Sequence, residues 1–457
     1  MIKTEATRPK KIAVVGSGIS GLSCAWLLNK THQVTLYEKD DRLGGHSHTV
    51  SFDLDNQQVD VDTGFIVYNP VNYPNLVQFF ATLGIETCDT EMTFGVSIND
   101  GELEYSGSGL PGLLAQKRNL LRPSFWRMIK ELMRFYRESE SMMNQKDLDK
   151  ITLGDLLKQQ GYGKEFIYDH LLPMGAAIWS TPVDKMLNYP ASGFMRFCQN
   201  HGLVQFKDRP QWRTVIGGSK KYVDIIAADL AGKIRLNSRI HKIIRNQNQV
   251  IIEDHHGNRE FYDDVVLACH SDQALSLLEQ PTESEKQLLD DFPYQRNKAY
   301  LHLDKSLMPK RKPTWSSWNY MSQGKRDQSQ EVSITYWMNK LQPLTTDTPI
   351  FVSLNPLHEP KEGSIIGSYF YDHPEFGEES LRSQQKLWTL QGVQNTWFCG
   401  AYFGYGFHED GLQSGLAVAE QLGGVSRPWK LEDKNSRIFV EDILRSNIRQ
   451  PLTGNRL

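Results

Sequence analysis

Apolar positions along the chain fall into blocks of two kinds. Between Lys11 and Glu38, IAVVG is an unbroken apolar run closed by glycine, SGISGLSCAWLLNK spaces apolar residues by three or four, and QVTLYEK returns to an extended pattern. That succession predicts strand, tight turn, helix and strand, one βαβ unit. Past about Asn75 the pattern is mixed. From Leu110 to about Gly175 it is mainly helical, strongest in LLAQKRNLLRPSFWRMIKELMRFYRES, which predicts an inserted helical layer. From Ile234 to Ala268, β-branched runs broken by Asn and His-Gly turns predict a three-stranded meander and then a core strand. Aromatic-rich strands with Pro and Gly loops follow from about Tyr294 to Leu390, and Trp397 to Leu422 reads strand, glycine turn, helix. After Gly424 the chain is polar and partly basic.

A chain of 457 residues accommodates about two to four domains with substantial cores. Its 51 basic and 54 acidic side chains leave a net charge of −3, which removes bulk attraction to nucleic acid. Five cysteines, Cys24, Cys88, Cys198, Cys269 and Cys399, are widely spaced without a C-x-x-C pair, so reduced core thiols are expected. The basic start MIKTEATRPKK runs into a short strand rather than a signal-peptide core, and a cytoplasmic protein is expected. No window approaches the roughly 18 to 20 apolar residues of a spanning helix, so any membrane contact is expected to be peripheral, on the inner face.

Gly16, Gly18 and Gly21 form G-x-G-x-x-G between the first strand and the first helix, and Glu38 ends the next strand 22 positions after Gly16. The first glycine permits the turn, the second lets backbone N–H groups approach a pyrophosphate, and the third allows close helix-to-strand packing. Glu38 can accept from a ribose hydroxyl and disfavours a 2′-phosphate. The same spacing recurs at Gly107, Gly109 and Gly112. There no apolar strand precedes it and Pro111 interrupts the turn, so it is read as a plain loop.

Directly after Glu38, the run Arg42, Gly44, Gly45 resembles the R-x-G-G signature of the superfamily of flavin-containing amine oxidases, protoporphyrinogen oxidases and phytoene desaturases. VDTGFIVYN at Val61 to Asn69, the GGS turn at Gly217 to Ser219, and WFCGAYFGYGFHEDGLQSGLAVAEQL at Trp397 to Leu422 extend the likeness over nearly the whole chain. The resemblance implies FAD and an α/β fold: a discontinuous Rossmann-like FAD-binding domain (1–90, 205–290 and 392–425), an inserted α+β substrate domain (91–204 and 291–391), and a C-terminal tail (426–457). It also implies the cofactor-lining positions. These are Ile19 and Ser20 within the glycine turn, Lys39 beside Glu38, His46 after the glycine pair, and Gly64 and Phe65 in the VDTGF segment. Ile240 and Ala268 in the returning strands, and Gly400, Ala401, Gly411, Leu412 and Ser414 in the last segment, complete the set. In such enzymes the last helix points its N-terminus at the flavin pyrimidine, where it stabilises negative charge.

Two positions depart from the superfamily. Ala401 follows Gly400 where an acidic residue is common, and His408 beside Glu409 stands where amine oxidases place an aromatic of the substrate cage. The amine-oxidase reading is weakened accordingly. The nearest resemblance is to bacterial FAD-binding oxidoreductases associated with cyclopropane-fatty-acid-synthase-like methyltransferases, carried by RLGGHSHTV, WRTVIGGSKKYV and GYGFHEDGLQSG. It implies a lipid or fatty-acyl substrate, desaturated or rearranged by hydride transfer to flavin. Flavin amine oxidation, or a scaffold role beside a lipid methyltransferase, are the alternatives. His408 is the expected acid/base group, since imidazole exchanges a proton near neutral pH, and Glu409 is expected to orient it.

The pairs His46/His48 and His255/His256 have no zinc-motif spacing, and no metal is expected. Seven Lys and Arg side chains lie between Gln116 and Arg137, interleaved with Phe125, Trp126, Phe135 and Tyr136, a composition suited to a lipid headgroup layer. Trp179, Trp315, Trp318, Trp337 and Tyr369 are candidate walls of an apolar tunnel, or ordinary core.

Overall fold

The computed structural model describes residues 8–179, 183–200, 202–204, 209–246, 249–324 and 333–441. The expectations for the first seven residues and for the tail beyond 441 lie outside them. The chain falls into two compact units, one comprising Met1–Leu43, Asp229–Asp291 and Ser380–Leu457, the other Gly44–Ala228 and Phe292–Glu379.

The first unit is built on a five-stranded parallel sheet in the order Ile234–Arg235, Gln33–Tyr37, Lys11–Val15, Asp264–Leu267, Thr396–Phe398. The expected βαβ unit is its centre. Its crossover, the first helix (Ile19–Leu28), has all ten residues buried, which is why its sequence is apolar on every side rather than along one stripe. It packs closely against the closing helix (His408–Gly423). A Cβ on Gly415 would lie 2.2 Å from Ser20 O, and one on Gly411 would lie 2.8 Å from Ile19 Cγ2. The expected meander is present as an antiparallel sheet of Ile240–Arg245, Val250–Asp254 and Arg259–Tyr262. Its Arg245 forms a fully buried ion pair with Glu285, which also closes the capping box of the Glu283–Asp290 helix through Thr282.

The second unit carries a seven-stranded sheet in the order Ile365–Pro374, Tyr294–His302, Phe351–Leu354, Ser333–Trp337, Trp318–Ser322, Phe94–Ile98, Leu103–Ser106. Neighbours are antiparallel except Trp318–Ser322 and Phe94–Ile98. The helical layer is present and includes Pro123–Met143, whose Phe125, Met128, Phe135 and Met142 are buried on one stripe. Phe125 and Phe135 are therefore core residues, not part of a surface aromatic set. Trp179 and Trp318 are buried as well. The second glycine match is not the plain loop expected: it follows the buried strand Leu103–Ser106, Gly109 is the N-cap of the four-residue helix Leu110–Leu113, and Gly112 lies within that helix.

Unit boundaries differ from those expected. Residues 44–90 group with the second unit because the hairpin Thr49–Leu54/Gln57–Asp62 delivers Val59 and Val61, joined by Ile66, to a core with Leu301, Met338, Leu341, Ile350 and Val352. Residues 209–228 do so because the Trp212–Val215 strand pairs with Val67–Tyr68 and Thr87–Thr90. Conversely, 380–391 joins the first unit: Leu387, Trp388 and Leu390 are buried, and Trp388 Nε1 donates to Gln421 Oε1 of the closing helix at 3.0 Å. The region 426–441 is no free tail, since Arg427 and Ile438 are buried in the first unit. Both assignments follow tertiary packing, which composition does not report.

Replacing Gly415 by alanine places a methyl against main-chain oxygen that has no room to yield. Thermal and urea unfolding should show a loss of about 1–3 kcal/mol. An unchanged unfolding midpoint would mean that glycine does not set the spacing of the two helices.

Candidate functional site

In the first unit the site begins at the glycine turn. Gly16 has φ +103°, and its N–H donates to Tyr37 O at 2.8 Å, tying the turn to the second strand. A Cβ on Gly21 would lie 1.9 Å from Gly16 O, so the turn folds flat on the helix. Nothing lies within 4 Å of a Cβ built on Gly18, the N-cap of the first helix. No side chain caps this helix, its first turn holds no acidic residue, and Ile19 and Ser20 are buried. Ala268 follows the neighbouring strand and donates its N–H to Val15 O at 2.8 Å, against the turn.

Glu38 is buried at the end of the second strand. One carboxylate oxygen accepts from Ser17 N–H at 3.0 Å and from the Ser17 hydroxyl at 2.5 Å, and the other accepts from Asp40 N–H at 3.1 Å. Carboxylate oxygens have lone pairs to spare beyond these three donors. Lys39 is exposed and Arg42 half-buried, while Ile240 is buried where the meander begins.

The closing helix presents the other expected set. Gly400 precedes it, its N–H donating to Ser414 Oγ at 3.0 Å, and the same hydroxyl lies 3.1 Å from Gly400 O. Leu412 and Ser414 are fully buried, and Ala401 lies beside Gly411. His408 is half-buried at the first position of the helix. Glu409 is buried and accepts from Gln413 Nε2, in the next turn of its own helix, at 2.9 Å.

The second unit holds the remaining expected residues. His46 O accepts from Phe65 N–H at 2.7 Å and His48 O from Thr63 N–H at 2.9 Å, so the GGHSH segment that includes Gly44 and Gly45 lies along the VDTGF segment. A Cβ on Gly64 would meet His46 O at 2.2 Å. Asp62 of the same segment is fully buried and ties three pieces of chain together. It accepts from Thr49 Oγ1 at 2.6 Å, from Ser219 N–H and Oγ at 2.9 and 2.8 Å, and from Gln342 Nε2 at 2.9 Å. The VDTGF and GGS motifs are thus two halves of one clasp. Burial pushes the Asp62 carboxyl up to about 6, against the pull of these donors.

Sequence reasoning missed a polar cluster here. The His48 imidazole lies 2.9 Å from Tyr371 OH, which also meets Thr63 Oγ1 at 2.6 Å. The His46 ring lies 5.2 Å from that of Tyr371 and 5.5 Å from that of His373, centroid to centroid. Burial, with His46 adding to it, pushes His373 down to about 3 and keeps it neutral. Tyr369, Tyr371 and His373 alternate along the Ile365–Pro374 strand, which puts them on one face. That spacing was readable, but the pairing with His46 and His48 was not. Among the described residues, no group of three or more His, Cys, Asp or Glu side chains is arranged to hold a metal ion.

A flat glycine turn, an uncapped buried helix N-terminus and an acidic strand end make a donor and acceptor set that fits a dinucleotide. The first unit therefore has the features of the dinucleotide-binding α/β proteins. The sequence model of the flavin-containing amine oxidoreductases matches residues 19–356, and the chain belongs to that family, whose cofactor is FAD.

Among curated relatives, a probable polyamine oxidase of Arabidopsis thaliana is 29% identical over 58% of this chain and 51% of its own length. A tryptophan 2-monooxygenase of Pseudomonas savastanoi is 25% identical over 62% and 57%. The chain thus spans about half the length of the curated relatives it matches. Wild-type putrescine oxidase bound to putrescine superposes with a TM-score of 0.63 at 16% identity, covering 91% of this chain and 99% of that one. A fatty acid isomerase from P. acnes that produces CLA gives 0.61 at 16% identity, over 92% and 99%. At such identities the likeness is one of fold.

Removing Asp62 strands its donors. Asp62→Ala should cost about 3–5 kcal/mol in urea unfolding, and Asp62→Asn markedly less. The folded protein holds this proton more tightly than the unfolded chain, from the ordinary 3.8 to about 6, so stability contributed here falls as pH rises through that window. Asp62→Asn should flatten that slope; an unaltered pH profile would assign it to other groups.

Proposed function

We propose that the protein is an FAD-dependent oxidoreductase acting on a fatty-acyl or isoprenoid chain at a membrane surface, desaturating it or shifting a double bond. Bound FAD supplies the hydride acceptor, which no side chain can provide. The turn at Gly16, Gly18 and Gly21 would hold its pyrophosphate and Glu38 its ribose, while the first turn of the closing helix, with Gly411, Leu412 and Ser414, faces the flavin. His408 is assigned the proton that leaves with the hydride, and buried Glu409 the integrity of that turn.

One observation carries the choice of a lipid surface. On the Pro123–Met143 helix and the turn before it, Leu120, Leu121, Trp126 and Met133 are exposed, Leu121 at 87%. They share that surface with Lys117, Lys130 and Arg137, which are exposed. Other basic residues are engaged by the fold: Arg122 donates to Glu102 O at 2.8 Å, Arg127 pairs with Glu165 at 2.5 Å, and Arg134 pairs with Glu138 at 3.2 Å. Apolar side chains interleaved with cations suit an anionic headgroup layer. A continuous path from bilayer to protein also matters energetically, because exposing an acyl chain to water costs about 0.8 kcal/mol per CH₂. No helix among the described residues is long and apolar enough to cross a membrane.

Anaerobic addition of unsaturated phospholipid or free fatty acid should bleach the yellow flavin absorbance. Bleaching by amines and never by lipids would replace this reading with amine oxidation, and unchanged lipid product after His408→Ala with FAD retained would favour a scaffold role. Reversing Lys117, Lys130 and Arg137 to Glu removes about 1 kcal/mol of attraction per charge, so binding to anionic vesicles should fall by on the order of a hundredfold. Equal binding by the variant would return this face to ordinary solvent exposure.

A further inference from the structure

Residues 425–441 are packed within the first unit. Arg427 is buried beside Glu420 of the closing helix, Nε to Oε1 at 2.9 Å, and Lys434 Nζ reaches the same carboxylate at 2.7 Å. Trp429 stacks on Trp26 of the first helix with ring centroids 6.5 Å apart. Arg427 also donates to Lys434 O at 2.9 Å and Asn435 Oδ1 at 3.1 Å, which fixes the path of the segment. These anchors deliver Arg437 to the first turn of the closing helix.

There Arg437 pairs with one acidic residue of the turn, Asp410, and is linked to the other, Glu409, through Gln413. Its Nε lies 3.0 Å from Asp410 Oδ1, with both side chains buried, as an ion pair rather than an aligned hydrogen bond. Its main-chain N–H donates to Gln413 Oε1 at 3.1 Å, and Gln413 in turn donates to Glu409. Asp410 accepts from Phe407 N–H at 2.7 Å, so the same carboxylate caps the helix.

Carboxylates at a helix N-terminus suit the helix dipole, but buried ones are costly without a compensating cation. Burial pushes Asp410 up to about 6, with Arg437 pulling the other way and Glu409 adding to the rise. A flavin facing this turn gains electron density on reduction, and uncompensated negative charge beside it opposes that gain.

We propose that Arg437 is a positioning residue for the cofactor: by compensating Asp410 in the first turn of the closing helix, it sets how tightly FAD is held and the potential at which the flavin accepts electrons. The proposal rests on the closing helix being the flavin-facing one, and it is independent of the lipid substrate.

The test uses the purified holoprotein, Arg437→Ala, Arg437→Lys, and the double variant Arg437→Ala/Asp410→Asn. FAD dissociation is followed by the fluorescence of released flavin, and the midpoint potential by equilibration with reference dyes. Arg437→Ala should weaken FAD binding about tenfold and shift the potential to a more negative value. Arg437→Lys should keep most of both, and adding Asp410→Asn should restore both toward the parent. A residue that only packs the tail predicts a double variant as impaired as the single one, so absence of restoration overturns the proposal even where Arg437→Ala folds poorly. Unchanged affinity and potential in a folded Arg437→Ala overturn it directly. Hydrogen exchange of the parent protein with and without FAD separates the premise: protection of the amides of 408–414 supports the flavin placement, and its absence removes both placement and proposal.

Discussion

Main-chain contact between the first helix and the closing helix sets the geometry of the nucleotide-binding unit. The two can meet only because Gly415 brings no side chain to the Ser20 carbonyl and Gly411 none to Ile19. With both helices held against each other, their N-terminal turns occupy neighbouring places, and the glycine turn at Gly16 is pinned to the sheet beneath. Helix N-termini bring partial positive charge and free N–H groups. The placement of those N–H groups in this unit therefore depends on a packing distance more than on any one polar residue.

The second unit uses polar side chains for a comparable purpose. Asp62 joins the hairpin, the GGS turn and the loop bearing Gln342. His48, Thr63 and Tyr371 join the glycine-pair segment to a sheet strand distant in sequence. Buried hydrogen-bonded groups of this kind fix one arrangement of irregular chain, because any other leaves donors or acceptors unpaired. The motifs that mark the superfamily in sequence are here, in large part, irregular segments held by such clasps.

What could be read from sequence follows from where periodicity exists. The βαβ unit, the meander and the helical layer announce themselves through alternation or 3.6-residue spacing, and the glycine turn through its context at both ends. The position of Glu38 beside the turn was legible because it ends the strand a fixed distance from the glycines. The unit boundary was not, since Val59 and Val61 are as compatible with one core as with another. Arg437 was illegible for a different reason: a single buried arginine within a polar segment carries no pattern, and only the anchors at Arg427 and Trp429 give it a destination. Tyr371 and His373 share a readable strand face, whose partners lie more than 300 residues away.

The strand order of the parallel sheet also governs how the chain can be made. Its outermost strand, Thr396–Phe398, pairs with Asp264–Leu267, whose other neighbour is Lys11–Val15 near the start of the chain. During synthesis the Asp264–Leu267 edge is therefore complete in sequence long before its last partner emerges, and the first helix waits equally long for the closing helix. An unpaired parallel strand and a helix that is buried on every side in the finished fold are exposed over that interval, the combination that slows folding and recruits chaperones. Discontinuity thus places the hazard of aggregation on the nascent chain, before the finished protein exists.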